Sequence, residues 1–188
     1  MKWAYELAKE EFSDKVVAEK DLVKWEVPKG KIVLKDRIAD AMFQYIQQNP
    51  KDFSVLACPN LNGDYVSDAT ATMVGGLGIA PGANIGDEYA IFEATHGTAP
   101  TLAQDKANPS SVALSGMMLL NYLGWNEAAD LVKKAIQKAI LDGSEAVNKK
   151  EKTIPLTGDL VKDYPGYTAK DGINCSEYVE RVIKYITA

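Results

Sequence analysis

Residues 60–100 read NLNGDYVSDATATMVGGLGIAPGANIGDEYAIFEATHGTAP, and the rest of the chain is organised around this stretch. Two carboxylates four residues apart, Asp64 and Asp68, open it. Its middle is glycine-rich backbone, and the chain's single histidine, His96, closes it in a Gly-Thr turn. Acids at i and i+4 project from one face of a helix. Two hard oxygen ligands with space for water and substrate suit Mg²⁺ or Mn²⁺. The same pair also fits acids near a helix N-terminus that oppose the macrodipole. At the other end, the short side chains of Thr95 to Pro100 let backbone N–H groups approach a phosphate or ribose. That turn carries neither the GxGxxG fingerprint nor a P-loop lysine. The pattern suggests a metal site beside a nucleotide site.

Working outward, Lys31–Lys35 (KIVLK) and Ser54–Cys58 (SVLAC) read as short strands. A helix is expected after each: Arg37–Gln48, capped by Asp36, and Asp64–Met73, entered through a turn at Gly63. Ligands of α/β sheets sit at the carboxyl ends of strands, where the Asp pair falls. Residues 2–12 predict an amphipathic helix and 13–30 a connection. Residues 75–86 predict a loop apolar enough to be buried, Tyr89–Ala94 a strand and 95–108 a long loop. Asn108 followed by Pro109 is a favoured helix start, and that helix runs to Gly124. Asn126 caps a further helix ending at Gly143. Residues 144–174 predict loops with one strand near Thr153–Leu156, and Ser176 caps a last helix. Helices alternating with short apolar strands argue for an α/β fold. A composition change near Gly75-Gly76 suggests two parts, 1–74 and 75–188.

The chain has 188 residues, a net charge of -5 and two cysteines, Cys58 and Cys175. No face-sized basic run is present, which argues against nucleic acid. The cysteine spacing argues against a disulfide framework or a zinc site and fits a cytoplasmic protein. No apolar run reaches the ~18 residues of a membrane span, and the charged first residues do not resemble a signal peptide. Of 21 basic residues, two are arginines, Arg37 and Arg181. A clamp for a polycarboxylate uses several guanidinium forks, so these residues alone do not supply one.

Taken together, NLNGDYVSD at 60–68, GGLGIAPGANIGD at 75–87 and FEATHGTAP at 92–100 resemble bacterial isocitrate dehydrogenases. The similarity extends to KDRIAD at 35–40 and NPSSVALSG at 108–116, fades over 144–174 and returns at INCSEY. The resemblance implies an enzyme of the tricarboxylic acid cycle. It oxidises isocitrate with NAD or NADP and releases CO₂ to give 2-oxoglutarate, using Mg²⁺ or Mn²⁺. It implies Asp64 and Asp68 as metal ligands from one subunit, and Asp40 as the ligand donated by the partner of a homodimer. The cofactor's adenosine part would lie on His96, Gly97, Thr98, Ala99 and Pro100, with Asn108 against adenine. Glu93 would lie near the nicotinamide. The isopropylmalate and homoisocitrate relatives share the Asp pair and the HG-x-AP turn.

Two departures qualify that likeness. Where family members that use NADP carry a lysine and a tyrosine for the 2′-phosphate, this chain has Thr101 and Leu102, in a loop one residue shorter. The family's later tyrosine and arginine align with Gly158 and Lys162. Fewer cations around a phosphate imply weaker NADP discrimination and some use of NAD. The resemblance also covers the C-terminal portion of the family's chain, 1–74 matching part of the small domain and 75–188 part of the large one. The substrate arginines and the catalytic tyrosine and lysine belong to the earlier portion. The expectation is therefore an incomplete, inactive chain with no catalytic residues of its own. Its rivals are a non-catalytic assembly module, half of a split enzyme, and the isopropylmalate-type relative.

Overall fold

A computed structural model describes residues 2–100 and 102–187. The chain divides into two compact units, the first ending at Val66 and the second starting at Ser67, so the division falls inside one helix.

In the first unit, α1 (Lys2–Glu11) leads into β1 (Val16–Ala18), which pairs in parallel with β2 (Ile32–Leu34). The segment expected to be a plain connection thus contains a strand. Its three-residue run Val16-Val17-Ala18 is too short to show alternation, and only β2 beside it gives it a partner. α2 (Ala39–Gln48) buries Met42 and Ile46. Asp36 does not cap it: the N-cap residue is Ile38 and makes no side-chain cap bond. The helix entry is held instead by Arg37, whose guanidinium donates two 2.7 Å bonds to Glu19 and one of 2.8 Å to Asp36 O. That bidentate bond holds the Glu19 carboxyl below its ordinary range.

Residues 54–58 are not a strand. Val55 is 87% exposed, and among the described residues no strand pairs with this segment. An apolar run forms a strand only where a neighbour takes its backbone groups. α3 (Asn60–Met73) begins earlier than expected, so Gly63 is a helical residue and not a turn; its N–H donates to Pro59 O at 3.1 Å.

The second unit continues from α3. The glycine-rich 75–86 stretch is not all loop: β3 (Pro81–Ile85) pairs antiparallel with β4 (Ala90–Ala94), Gly82 opposite Glu93. A β-carbon on Gly82 would lie 2.9 Å from Glu93 O, so the hairpin requires glycine there. α4 (Ser110–Tyr122) starts one residue later than expected, with Pro109 as its N-cap residue, and the Asn108 side chain accepts the Ser110 N–H at 2.9 Å. Gly124 at φ +81 ends the turn that follows.

α5 (Asn126–Asn148) runs past Gly143 without a break, and neither Asn126 nor its N-cap residue Trp125 makes a side-chain cap bond. Gly143 is a packing residue. A β-carbon there would lie 2.2 Å from Leu156 Cγ on β5 (Ile154–Thr157). β5 passes through α6 (Gly158–Val161) and pairs in parallel with β6 (Gly172–Ile173), so 144–174 is more structured than its polar composition suggests. α7 (Cys175–Thr187) closes the unit. Ala139, Ala146, Ile154, Leu156, Val161 and Tyr178 form the core of buried residues. Ser176 is not a cap but a first-turn residue bonded to Asp105. Among the described residues no helix is long and apolar enough to cross a membrane.

Gly143→Ala should destabilise the chain by about 1–3 kcal/mol, because the overlap with Leu156 outweighs the helix propensity gained. Gly116→Ala in α4, where a β-carbon meets nothing within 4 Å, should stabilise it by about 0.5–1 kcal/mol. Urea unfolding of the two variants beside wild type checks the opposite signs.

Candidate functional site

The candidate nucleotide site is built from the end of β4, the 95–109 loop and the β5–α6 junction. Three serines of α4 are buried; two of them fix the hairpin beneath the site and the third bonds α7. Ser111 Oγ donates to Ala80 O at 2.5 Å. Ser115 Oγ accepts the Gly82 N–H at 3.1 Å and donates to Glu93 O at 2.7 Å. Ser110 Oγ donates to the Tyr178 hydroxyl at 3.2 Å. Small hydroxyls at 111 and 115, one helical turn apart, let α4 bond the hairpin backbone directly. Serines in an otherwise apolar helix carried that signal in the sequence.

Glu93 ends this strand pair with its carboxylate accepting from Asn84 Nδ2 at 3.0 Å. The turn follows. Thr95 Oγ1 donates to Ala80 O at 3.0 Å, and half-buried His96 has Nδ1 2.9 Å from Gly97 O. A carbonyl only accepts, so Nδ1 carries a proton. Gly97, Thr98, Ala99 and Pro100 are exposed, with Ala99 at φ +45 and its carbonyl accepting from Leu102 N at 2.9 Å. Leu102 is half exposed at 52%. Thr101 lies outside the described residues.

Asn108 and Gly158, which the sequence separates by half the unit, are brought together by Asp159. Asn108 is buried and donates from Nδ2 to Asp159 Oδ2 at 3.0 Å. A β-carbon on Gly78 would lie 2.6 Å from that same oxygen, so the three segments are in close contact. Asp159 was not foreseen as a site residue. Its other oxygen, Oδ1, is buried, and neither it nor the neighbouring Thr157 hydroxyl has a partner among the described residues. Polar atoms left so suit a ligand or water that completes them. A nucleotide's adenosine half fits this donor and acceptor set. Gly158 has a physical reason for its identity: a β-carbon there would lie 2.5 Å from Ala169 O. A tyrosine at 158 would have to displace that backbone. Lys162 is exposed just after α6.

The candidate metal ligands are on α2 and α3. Asp64 and Asp68 are exposed and share one face of α3. Asp40 is in the first turn of α2, with Oδ1 accepting the Ala41 N–H at 2.6 Å. Among the described residues no three His, Cys, Asp or Glu side chains converge as a complete metal cage. A pair of carboxylates on one helix face fits a hard divalent cation that keeps water and substrate oxygens in its other positions.

Residues 4–182 match the isocitrate/isopropylmalate dehydrogenase family, and the chain belongs to it. It is 46% identical over 187 residues to a Helicobacter pylori protein named isocitrate dehydrogenase [NADP], covering 98% of this chain and 41% of that one. A Nostoc protein of the same name is 49% identical over 163 residues, 86% of this chain and 31% of its own. The chain therefore spans less than half the length of these relatives. The crystal structure of isocitrate dehydrogenase from Methylococcus capsulatus superposes with a TM-score of 0.70 at 28% identity, covering 100% of this chain and 55% of that chain. The α/β fold expected from the sequence is thus the fold of this family.

Two outcomes check the site. Gly158→Tyr should lower stability by about 1–3 kcal/mol through overpacking rather than tighten NADP binding; calorimetric melting and nucleotide titration measure both. Asp105 is held below its ordinary value of 3.8 chiefly by the Ser176 hydroxyl and then by the Ser176 N–H. A depressed folded value means that its contribution is complete above the unfolded value and lost as pH falls through the folded one. The Ser176 amide resonance should accordingly titrate with a midpoint below 3.8.

Proposed function

We propose that this chain forms the C-terminal portion of an isocitrate dehydrogenase. It would hold two metal ligands of one site, a third for a partner copy, and the adenosine half of the cofactor site. One observation carries the reading: Asn108 meets Asp159, the neighbour of Gly158, and a buried oxygen of that carboxylate has no partner among the described residues. The relatives named above, and the NADP in their names, support substrate and cofactor.

In the proposed reaction the hydroxyl carbon of isocitrate loses a hydride to the nicotinamide and the hydroxyl loses its proton. The neighbouring carboxylate leaves as CO₂, and a proton returns to the carbon it left, giving 2-oxoglutarate and reduced cofactor. A divalent cation, when bound, would supply Lewis-acid polarisation of the substrate. Asp64 and Asp68 would hold it on one face of α3, with Asp40 serving the partner subunit's site in a homodimer. The turn from His96 to Pro100 would orient the adenosine, with the His96 ring and the backbone excluding water from one side. Glu93 would lie toward the nicotinamide. Asn108 would meet adenine, with Gly158 and Lys162 toward the 2′ position. Lys162 is the one cation among these contacts, so discrimination between NADP and NAD is weak. Two arginines cannot clamp three substrate carboxylates, so the 188 residues turn over only when a complementing N-terminal half is supplied. The two free cysteines fit a cytoplasmic setting.

Cofactor reduction with isocitrate and Mn²⁺ tests this, run with NAD and with NADP. The chain alone should give no turnover, and addition of an N-terminal half from a relative should restore it with both cofactors. Mn²⁺ binding should weaken by more than about tenfold, or ~1.4 kcal/mol, in Asp64→Asn and Asp68→Asn. Turnover by the unaided chain, or Mn²⁺ affinity unmoved by both substitutions, would overturn the proposal.

A further inference from the structure

The 95–109 loop is anchored at its start by Thr95 and at its end by buried Asn108. Between them the chain crosses to the beginning of α7. Asp105 O accepts the Cys175 N–H at 2.9 Å. Asp105 Oδ1 accepts the Ser176 N–H at 2.9 Å, and Oδ2 the Ser176 hydroxyl at 2.7 Å. Lys106 Nζ donates to Asn174 Oδ1. The receiving end is itself fixed. Glu177 Oε2 accepts the Asn174 N–H at 2.8 Å. One turn into α7, Tyr178 is fully buried and bonded to Ser110 at the start of α4. Asp105 sits at φ +58, a left-handed conformation that Asp and Asn tolerate better than other side chains.

We propose that Asp105 is a positioning residue for the nucleotide loop: its tie to α7 holds the His96–Pro100 turn in the conformation that receives the adenosine phosphate. The inference rests on the dinucleotide reading of that turn. The exposed residues 97–100 pack little, and their order comes from where the chain is pinned. A pin at 105 shortens the span left free after Thr95, and a shorter span has less conformational entropy to lose on binding. Without the tie, the binding-competent conformation becomes a minor fraction and apparent affinity falls by that fraction.

Asp105 stands outside the residues that would touch the cofactor, so binding and folding can be read apart. The probe is adenosine 2′,5′-bisphosphate, titrated calorimetrically into the 188-residue chain, with amide exchange at 96–100 followed in parallel. Asp105→Ala should raise the dissociation constant about tenfold and speed exchange at 96–100, while exchange in α5 stays unchanged. Asp105→Asn keeps the left-handed preference and one acceptor, and should recover part of the affinity. Ser176→Ala leaves the backbone bonds, should weaken binding about threefold, and carries the test if the alanine variant at 105 unfolds. Wild-type affinity in both Asp105→Ala and Ser176→Ala overturns the positioning role and leaves the dinucleotide reading standing. Failure of the wild-type chain to bind the probe overturns both.

Discussion

The contact between Gly143 and Leu156 governs the second unit. No side chain fits at 143, because its first atom would overlap Leu156 Cγ. α5 presents Ala135, Ala139, Gly143 and Ala146 as a buried row of small residues, and β5 lies against the later part of it. Close approach is then repeated one layer on. A β-carbon at Gly172 would lie 2.7 Å from Leu156 O, and one at Gly158 2.5 Å from Ala169 O. Three backbone segments are therefore stacked with glycine at each crossing. Asp159 follows directly from that stack, so its carboxylate reaches Asn108 at a position set by backbone packing rather than by flexible side chains. Sites placed on such supports keep their geometry better than sites placed on loops.

The metal candidates follow a different logic. Asp64 and Asp68 are like charges at i and i+4, an arrangement that costs an isolated helix about 0.2–0.5 kcal/mol. Gly63, one residue before, lies inside α3, where glycine costs roughly another 1 kcal/mol against alanine. Its packing does not demand it: a β-carbon would lie 3.5 Å from Cys58 Cβ, an ordinary contact. Two local preferences are thus set aside within the first turns of one helix. Such violations gather at functional sites.

Legibility in the sequence tracked the range of the interaction that decides each element. Helices α1, α2, α4 and α7 were read within a few residues, because apolar spacing and the Asn108-Pro109 start are local signals. The end of α5 was misread for a local reason too. Gly143 reads as a stop, yet the residue that explains it, Leu156, is thirteen positions away and on a strand. β1 and β3 were missed because a strand of three or five residues is defined by its partner, and periodicity cannot supply the partner. SVLAC failed in the opposite sense: it has strand composition, and among the described residues no strand pairs with it.

The candidate site divides along the same line. His96 to Pro100 and the Asp pair are local in sequence, and are legible there as motifs. Asp159 and Asp105 were not, because each acts through a residue about fifty to seventy positions away, Asn108 and Ser176. Neither carries a distinctive neighbour pattern: one follows a glycine in a polar stretch and the other lies between Gln104 and Lys106. What marks them is a physical test available only in three dimensions. Each carboxylate answers buried or helix-terminal donors that the local chain leaves open, since the first N–H groups of a helix have no partner within it. A loop carboxylate meeting a helix start therefore belongs to the support of a site, even when the motif that names the site lies several residues upstream.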